Sequence, residues 1–179
     1  ARFRQEALAA GKITHRYVVG AIDYGQENGL HYMVMPFIKG QTCEDRMKSV
    51  KRSGFGFIVK LTLQIAQALE AIEDHGIIHR DIKPGNVMIR EDGDACLMDL
   101  GLAKSMSVDQ TLTAIGNTVG TPDYMSPEQC LGRKLSIKTD VYALGATIYH
   151  LLTGQPPFKA DSALYLMKKQ VKAPTPYAK

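Results

Sequence analysis

Residues 77–89 have the sequence IIHRDIKPGNVMI, in which a polar loop separates two apolar runs. The loop contains Asp81, Lys83 and Asn86 at fixed offsets. Transfer of a phosphoryl group to a hydroxyl needs a carboxylate that orients the acceptor proton, a cation on the moving phosphate and an oxygen ligand for magnesium. These three side chains supply one group of each kind. Taken alone, the stretch is also typical of an ordinary surface turn, because short motifs recur by chance.

A second motif follows one turn and one strand further along the chain. Residues 95–98 are predicted to form a strand, and the sequence MDLG at 98–101 comes directly after it. An aspartate at a strand end beside glycine suits a metal-bound phosphate. The alternative is a strand that simply ends in an Asp-x-Gly turn. The order of loop, strand, tight turn, strand and aspartate favours the functional interpretation.

Composition and charge describe an ordinary globular domain. The chain has 179 residues, 45% of them hydrophobic, and a net charge of +4. The basic residues are scattered, which argues against a dedicated nucleic-acid binder. Cys43, Cys96 and Cys130 form no CxxC pair, so neither a zinc site nor a disulfide framework is indicated, and a reducing, cytoplasmic setting fits best. The longest charge-free run, 141–158, contains polar residues and a proline pair, so we expect no membrane span there.

Hydrophobic periodicity and turn residues predict an α+β arrangement with short strands first and then mostly helix. QENG is expected to join the first two strands as a hairpin loop longer than two residues. A mobile loop is predicted over 105–120. The predicted helices are 2–11, 42–50, 57–75, 140–153 and 161–171, and the predicted strands are 17–24, 30–35, 87–90 and 95–98.

Two further motifs complete an ordered set of four. These are GTPDYMSPEQ at 120–129 and KTDVYALG at 138–145. With HRDIKPGN at 79–86, Asp-Leu-Gly at 99–101 in place of DFG and Ser-Pro-Glu at 126–128 in place of APE, the chain resembles a eukaryotic-type protein kinase domain. It is most similar in character to the bacterial serine/threonine members. The resemblance covers essentially the whole chain.

The resemblance implies a kinase-like α+β fold in three parts. Residues 1–35 would be the remainder of the small lobe, with one helix and short antiparallel strands. Residues 36–40 would be the hinge, and residues 41–179 an incomplete, mostly helical large lobe. The family's glycine-rich loop and strand lysine are absent, and GFGFIV at 54–59 is rejected as a substitute because it precedes a long helix. We therefore expect a fragment that is itself a poor catalyst.

The resemblance also assigns roles around the loop. Asp81 would take up the substrate hydroxyl, and Lys83 would neutralise the γ-phosphate. Asn86 and Asp99 would hold the magnesium ions that bridge the phosphates of ATP. Thr121, together with Lys83, resembles the serine/threonine kind, in which the threonine hydrogen-bonds toward the catalytic aspartate and lysine.

Nucleotide-binding positions are implied outside the loop. Glu6 would be the helix glutamate that pairs with the ATP-binding lysine, although by itself it is typical of a solvated helix residue. In MVMPFIKG at 33–40, Met35 would be the gatekeeper, Pro36 would offer its carbonyl and Ile38 its backbone N–H to adenine. Met88 would pack beneath the adenine ring. Core packing explains both methionines equally well.

Regulation by phosphorylation is implied by Arg80, which directly precedes the catalytic aspartate. Lys104 and Arg2 fall where the family places other cations of a phosphate pocket. The family's commonest acceptor position holds Asn117. The candidate acceptors are Thr118 and, as rivals, Thr113 and Thr111. Glu128 would pair with an arginine beyond residue 179.

The resemblance predicts a serine/threonine protein kinase that uses ATP and Mg²⁺, acts on protein substrates and is open to autophosphorylation, with no nucleic-acid partner. A pseudokinase or scaffold module is the first alternative, and the missing strand lysine would decide between them. A small-molecule kinase of the aminoglycoside-phosphotransferase type is the second. The segment 120–128, which the resemblance implies binds peptide substrate, disfavours it. The kinase domain is expected to be cytoplasmic, and membrane anchoring only through segments outside this chain stays open.

Overall fold

The computed structural model describes residues 11–50, 54–100 and 122–177. In these ranges the chain forms two small antiparallel sheets followed by mostly helical structure, which confirms the predicted α+β class. The predicted loop at 105–120 and all but the last residue of the predicted helix at 2–11 lie outside the described residues.

The first sheet is a hairpin of β1 (Asp23–Glu27) and β2 (Leu30–Val34). Its turn consists of Asn28 and Gly29, both with positive φ, of 50° and 80°. The prediction of a longer loop was wrong, because Asn-Gly is the preferred pair for a two-residue turn with two left-handed residues.

The first predicted strand, 17–24, was placed too early. The backbone at Tyr17 and Val19 is instead hydrogen-bonded to Leu97, and Val18 forms a parallel bridge with the same residue. These residues are therefore tied to the second sheet, which attaches the predicted small-lobe remainder to the rest of the chain.

The second sheet has the order β3 (Gly40–Thr42), β4 (Val87–Arg90) and β5 (Ala95–Leu97). The two later strands agree with prediction within one residue. β3 was not predicted, because three residues of sequence GQT carry no strand pattern and pair only through the tertiary fold.

Two helices follow the predicted hinge. The first, α1 (Cys43–Ser49), begins at the N-cap Thr42, whose hydroxyl oxygen accepts a hydrogen bond from the backbone N–H of Asp45. The second, α2 (Phe55–Glu73), is the predicted central helix, shifted two residues toward the N-terminus. Gly76, with φ of 70°, follows its end as predicted.

By length and composition alone α2 could cross a membrane. Its buried stripe, however, packs against β5 and a later helix, as expected of a core helix in a folded domain. The residues of this stripe are Ile58, Leu61, Gln64, Ile65, Ala68, Leu69 and Ile72.

The remaining helices are α3 (Pro127–Cys130), α4 (Ile137–Thr153) and α5 (Ala163–Lys172). α4 begins three residues earlier than predicted, because Ser136 and Thr139 form a capping box. It ends at Gly154, which has φ of 76° as expected of a C-cap glycine. α3 was not predicted.

A buried carboxylate joins the two predicted lobes. Asp94, at the start of β5, accepts hydrogen bonds or ion pairs from Lys60, Gln64 and Arg16. Lys60, then Gln64 and Arg16, hold the pKa of Asp94 down to about 2. Since Arg16 lies in the predicted small lobe and the other two in α2, this cluster fixes one lobe against the other beside the second sheet.

Gly40 generates a stability prediction. A Cβ added there would overlap the carbonyl oxygen of Ile89 and lie 3.0 Å from the Cα of Arg90, both of them backbone atoms. We expect Gly40→Ala in the full-length protein to lower the free energy of unfolding by about 1–3 kcal/mol, measured by denaturant titration. Gly56→Ala is the matched control, since no heavy atom lies within 4 Å of its added Cβ and it sits in α2, so it should raise stability by up to about 1 kcal/mol. Equal effects at both glycines would contradict the close approach.

Candidate functional site

The loop of residues 79–86 connects α2 to β4 and carries most of the predicted site. His79 is fully buried within it. Its Nε2 lies 2.8 Å from the carbonyl of Met98 and its Nδ1 lies 3.3 Å from the backbone nitrogen of Asp81. Donation from Nε2 leaves Nδ1 as the acceptor for the N–H of Asp81. The ring therefore links the loop to the end of β5.

Asp140, near the start of α4, holds the loop from the other side. Its two carboxylate oxygens accept the backbone N–H groups of His79 and Arg80, each at 2.8 Å. Burial raises the pKa of Asp140 to about 6, against the opposing effect of these two backbone bonds. Buried backbone N–H groups without a hydrogen-bond acceptor cost folding free energy. The carboxylate gives two such groups an acceptor and is therefore a strong anchor.

The anchor holds a strained conformation. Arg80 has φ of +67°, a left-handed conformation that costs a non-glycine residue about 1–3 kcal/mol and persists only where neighbours enforce it. Such strain is concentrated at functional sites, and here it lies directly before Asp81.

Asp81, Lys83 and Asn86 are brought together as predicted. The Nζ of Lys83 and the Nδ2 of Asn86 both lie 3.1 Å from Oδ2 of Asp81, and Nδ2 also donates to the carbonyl of Asp81 at 2.8 Å. The 3₁₀ turn Pro84–Asn86 places Asn86 back over the aspartate. The carboxylate is therefore held by a cation and an amide.

Asp99 is joined to this arrangement through the backbone. The N–H of Met98 donates to the carbonyl of Asn86 at 2.9 Å, so the end of β5 lies beside the 3₁₀ turn. Asp99 is exposed with φ of +54°, while Leu100 is almost fully buried. The side chain that directly follows Asp99 is therefore packed in the hydrophobic core.

Asn86 and Asp99 offer oxygen ligands of the kind that fit a magnesium ion also bound to phosphates. Among the described residues no group of three or more His, Cys, Asp or Glu side chains is positioned to hold a metal by itself. The Nδ2 of Asn86 donates its hydrogen bonds to Asp81, so its Oδ1 can bind another partner. Mg²⁺ typically takes one or two protein oxygens and completes its octahedron with phosphate and water.

The predicted hinge lines a cavity of about 520 Å³. Pro36 and Ile38 are among its walls, together with residues 18–20 and 90–92. Met35 and Met88 do not line it; Met88 is half-buried in β4, a position that core packing also explains.

Several predicted residues lie outside the described residues. Their roles stay predictions on sequence alone. They are Arg2, Glu6, Lys104, Thr111, Thr113, Thr118 and Thr121.

The segment 122–129 is joined to the 79–86 loop by Gln129, whose Nε2 donates to the carbonyl of Arg80 at 2.9 Å. Glu128 accepts the hydroxyl hydrogen of Thr139 at 2.7 Å, so α3 is joined to the start of α4. Burial pushes the pKa of Glu128 up, but this bond and others outweigh it and leave the pKa lowered. The partner predicted for Glu128 from the sequence was an arginine beyond residue 179, and the bond to Thr139 was not predicted.

Asp140 and Gln129 were missed as members of the site. Asp140 lies inside the quoted motif KTDVYALG, but an aspartate in a first helical turn is ordinarily explained by the helix dipole. Gln129 gave no signal, because its bond is to a backbone carbonyl 49 residues away.

Asp140 generates a prediction on stability and its pH dependence. In the full-length protein, Asp140→Ala should lower the free energy of unfolding by roughly 2–5 kcal/mol, because two buried N–H groups lose their acceptor. Asp140→Asn retains one acceptor oxygen and should lose less. Because the native pKa is raised to about 6, the native state binds this proton more tightly than the unfolded chain. The stability that this tighter proton binding adds to the native state is fully present below about pH 4, near the pKa of an unfolded aspartate. It is lost as pH rises through about 6.

Denaturant titrations of wild type and Asp140→Asn at several pH values measure this effect. The stability of wild type relative to the variant should fall between about pH 4 and pH 6. The exposed Asp161, changed to Asn, serves as the control for the loss of one carboxylate. A flat difference for Asp140→Asn would contradict the buried, proton-binding carboxylate.

Comparison with known proteins agrees with this geometry. The family model described as "Protein kinase domain" matches residues 1–177. A probable serine/threonine-protein kinase PknB of Bifidobacterium longum is 38% identical in an alignment 181 residues long. The alignment covers 96% of this chain and 26% of that protein. A probable serine/threonine-protein kinase PknB of Lactococcus lactis is 35% identical, with 98% and 28% covered. Serine/threonine-protein kinase PknH of Mycobacterium tuberculosis is 36% identical, with 98% and 28% covered.

The chain spans about a quarter of the length of these curated relatives. The match nevertheless extends over nearly the whole chain, and it includes the loop that Asp140 anchors. The four ordered motifs, the fold and the sequence similarity agree, and the chain belongs to the protein kinase family.

Proposed function

We propose that the full-length protein containing this chain is a serine/threonine protein kinase, which transfers the γ-phosphate of ATP to hydroxyl groups of proteins. The observation that carries the proposal is the arrangement of Asp81, Lys83 and Asn86 on a strained loop held by Asp140. The relatives are named serine/threonine-protein kinases, and Lys83 and Thr121 support the same subclass.

The chemistry assigned to the loop is an in-line displacement. The acceptor hydroxyl oxygen forms a bond to the γ-phosphorus, the bond to the leaving ADP oxygen breaks, and the hydroxyl proton passes to Asp81. Lys83, whose Nζ is 3.1 Å from Oδ2 of Asp81, is close enough to neutralise charge on the transferred group. Positioning and charge stabilisation are most of what a protein contributes to this reaction.

Asn86 and Asp99 are proposed to hold magnesium, which supplies charge neutralisation on the phosphates when it is bound with ATP. Met35, Pro36, Ile38 and Met88 are proposed to contact the adenine. Glu6 is proposed to pair with a lysine upstream of this chain.

The proposed domain division follows the sequence. Residues 1–35 would belong to the small lobe, 36–40 to the hinge and 41–179 to the large lobe. The contacts of Arg16 and of residues 17–19 described above support attachment of the first part to the second sheet.

Replacing Asp81 tests the function directly. We expect the full-length wild-type protein to transfer γ-phosphate to itself and to a generic basic protein on Ser and Thr. Asp81→Asn should lower the rate by about 10²- to 10⁴-fold, because it removes the proton acceptor. Transfer is measured with labelled ATP and phosphoamino-acid analysis. Absence of transfer by folded wild-type protein with magnesium would favour the pseudokinase alternative.

Loop phosphorylation gives a separate prediction. We propose Thr118 as the acceptor, with Thr113 and Thr111 as rivals and with Arg80, Lys104 and Arg2 as the cations that bind the phosphate. A phosphothreonine adds a charge of about −1.5 to −2. Thr118→Ala should abolish the loop phosphate found by mass spectrometry and reduce activity. Unchanged activity and phosphorylation in that variant would contradict the assignment.

A further inference from the structure

Two side-chain amides, the buried Gln170 and the half-buried Gln129, hold the segment 122–129 from two sides. On one side, Gln170 of α5 donates to the carbonyls of Pro122 and Asp123 at 3.0 and 2.9 Å and accepts the hydroxyl hydrogen of Tyr142 at 2.5 Å. On the other side, Gln129 connects the segment to the 79–86 loop. These two amides act on the same segment, but only Gln129 contacts the loop that carries Asp81.

Both ends of the Gln129 amide are used. Its Nε2 donates to the carbonyl of Arg80 at 2.9 Å, and its Oε1 accepts the N–H of Ser126 at 3.0 Å. Ser126 is fully buried, and its hydroxyl oxygen accepts the N–H of Gln129 at 3.3 Å in a capping box. The amide therefore joins a helix cap to a backbone carbonyl in another part of the chain.

The carbonyl that Gln129 contacts controls the direction of Asp81. The carbonyl of Arg80 and the N–H of Asp81 belong to one planar peptide unit, so fixing one fixes the other. Gln129 holds the carbonyl, and Nδ1 of His79 accepts the N–H. Asp140 holds the preceding peptide through the N–H of Arg80. Successive peptide units around a left-handed residue are thus each fixed by a side chain.

We propose that Gln129 is a positioning residue, which couples the seating of the segment 122–129 to the orientation of the Asp81 carboxylate. This inference rests on the proposed kinase function. In the sequence the segment directly follows residues 120–121, and it shares with them the motif that the kinase resemblance implies binds peptide substrate. When the segment 122–129 is in the position described, Gln129 holds the carbonyl of Arg80 and so supports the orientation of Asp81. When the segment is displaced, this hydrogen bond is lost.

The competing explanation is that Gln129 only caps α3. Gln129→Glu separates the two roles, because it keeps an oxygen for the N–H of Ser126 and replaces the donor to Arg80 with a second oxygen. An ionised carboxylate facing a carbonyl is repulsive, whereas a protonated carboxyl can donate again. Gln129→Met removes both bonds.

The test measures kcat and KM of the full-length protein for ATP and for a protein substrate between pH 6 and pH 8. We expect Gln129→Glu to lower kcat by about 10- to 100-fold at pH 8, the scale of a small misplacement of a reacting group. KM for ATP should stay unchanged in this variant. Gln129→Met should also lower kcat.

Gln170→Glu is the matched control. It makes the same chemical change on the same segment without contact to the 79–86 loop. It should raise KM for the protein substrate more than it lowers kcat. A Gln129→Glu variant with wild-type kcat at every pH and only reduced thermal stability would overturn the proposal and leave the capping role.

Amide hydrogen exchange gives a readout that needs no activity. Exchange at residues 80–82 should be faster in Gln129→Glu than in wild type or Gln170→Glu. Unchanged exchange there would overturn the inference even if the wild type proved inactive. Lack of transfer by wild type with the expected exchange pattern would instead count against the proposed function alone.

Discussion

The carboxylate of Asp140 is the constraint on which the candidate site depends. It accepts the N–H groups of His79 and Arg80 and so holds a left-handed residue one position before Asp81. The loop would otherwise relax, since a non-glycine residue gains about 1–3 kcal/mol by leaving this conformation. Burial in turn disfavours the charge of Asp140 and raises its pKa to about 6. The two N–H groups oppose this effect, so the anchor and the loop stabilise each other.

The rest of the site follows from that anchor. His79 reaches the carbonyl of Met98, and the N–H of Met98 reaches the carbonyl of Asn86, so the loop and the end of β5 are tied twice. Asp99 therefore lies beside the turn that contains Asn86. Lys83 and Asn86 both contact Oδ2 of Asp81. α2 and α4 pack against each other, and α4 carries the Asp140 that anchors the loop. The scaffold is therefore rigid where the chemistry requires fixed distances.

The sequence allowed prediction of whatever is encoded locally. The 79–86 loop, β4 and β5, and the helices α2 and α4 were predicted because their motifs or periodicity lie within short windows. The Asn28-Gly29 turn was also readable, but its two-residue length was misjudged. β3 and the anchoring roles of Asp140 and Gln129 could not be predicted. They depend on pairing or on side-chain bonds to backbone atoms 49 to 61 residues away, which leave no local pattern.

A double-mutant cycle between Asp140 and Asp81 tests the central claim most directly. If Asp140 acts by orienting Asp81, Asp140→Asn should lower kcat of the full-length protein strongly in the wild-type background and little in the Asp81→Asn background. Circular dichroism of each variant checks that the fold is retained. Losses that multiply independently, with the fold intact, would contradict the claim that the anchor works through the aspartate.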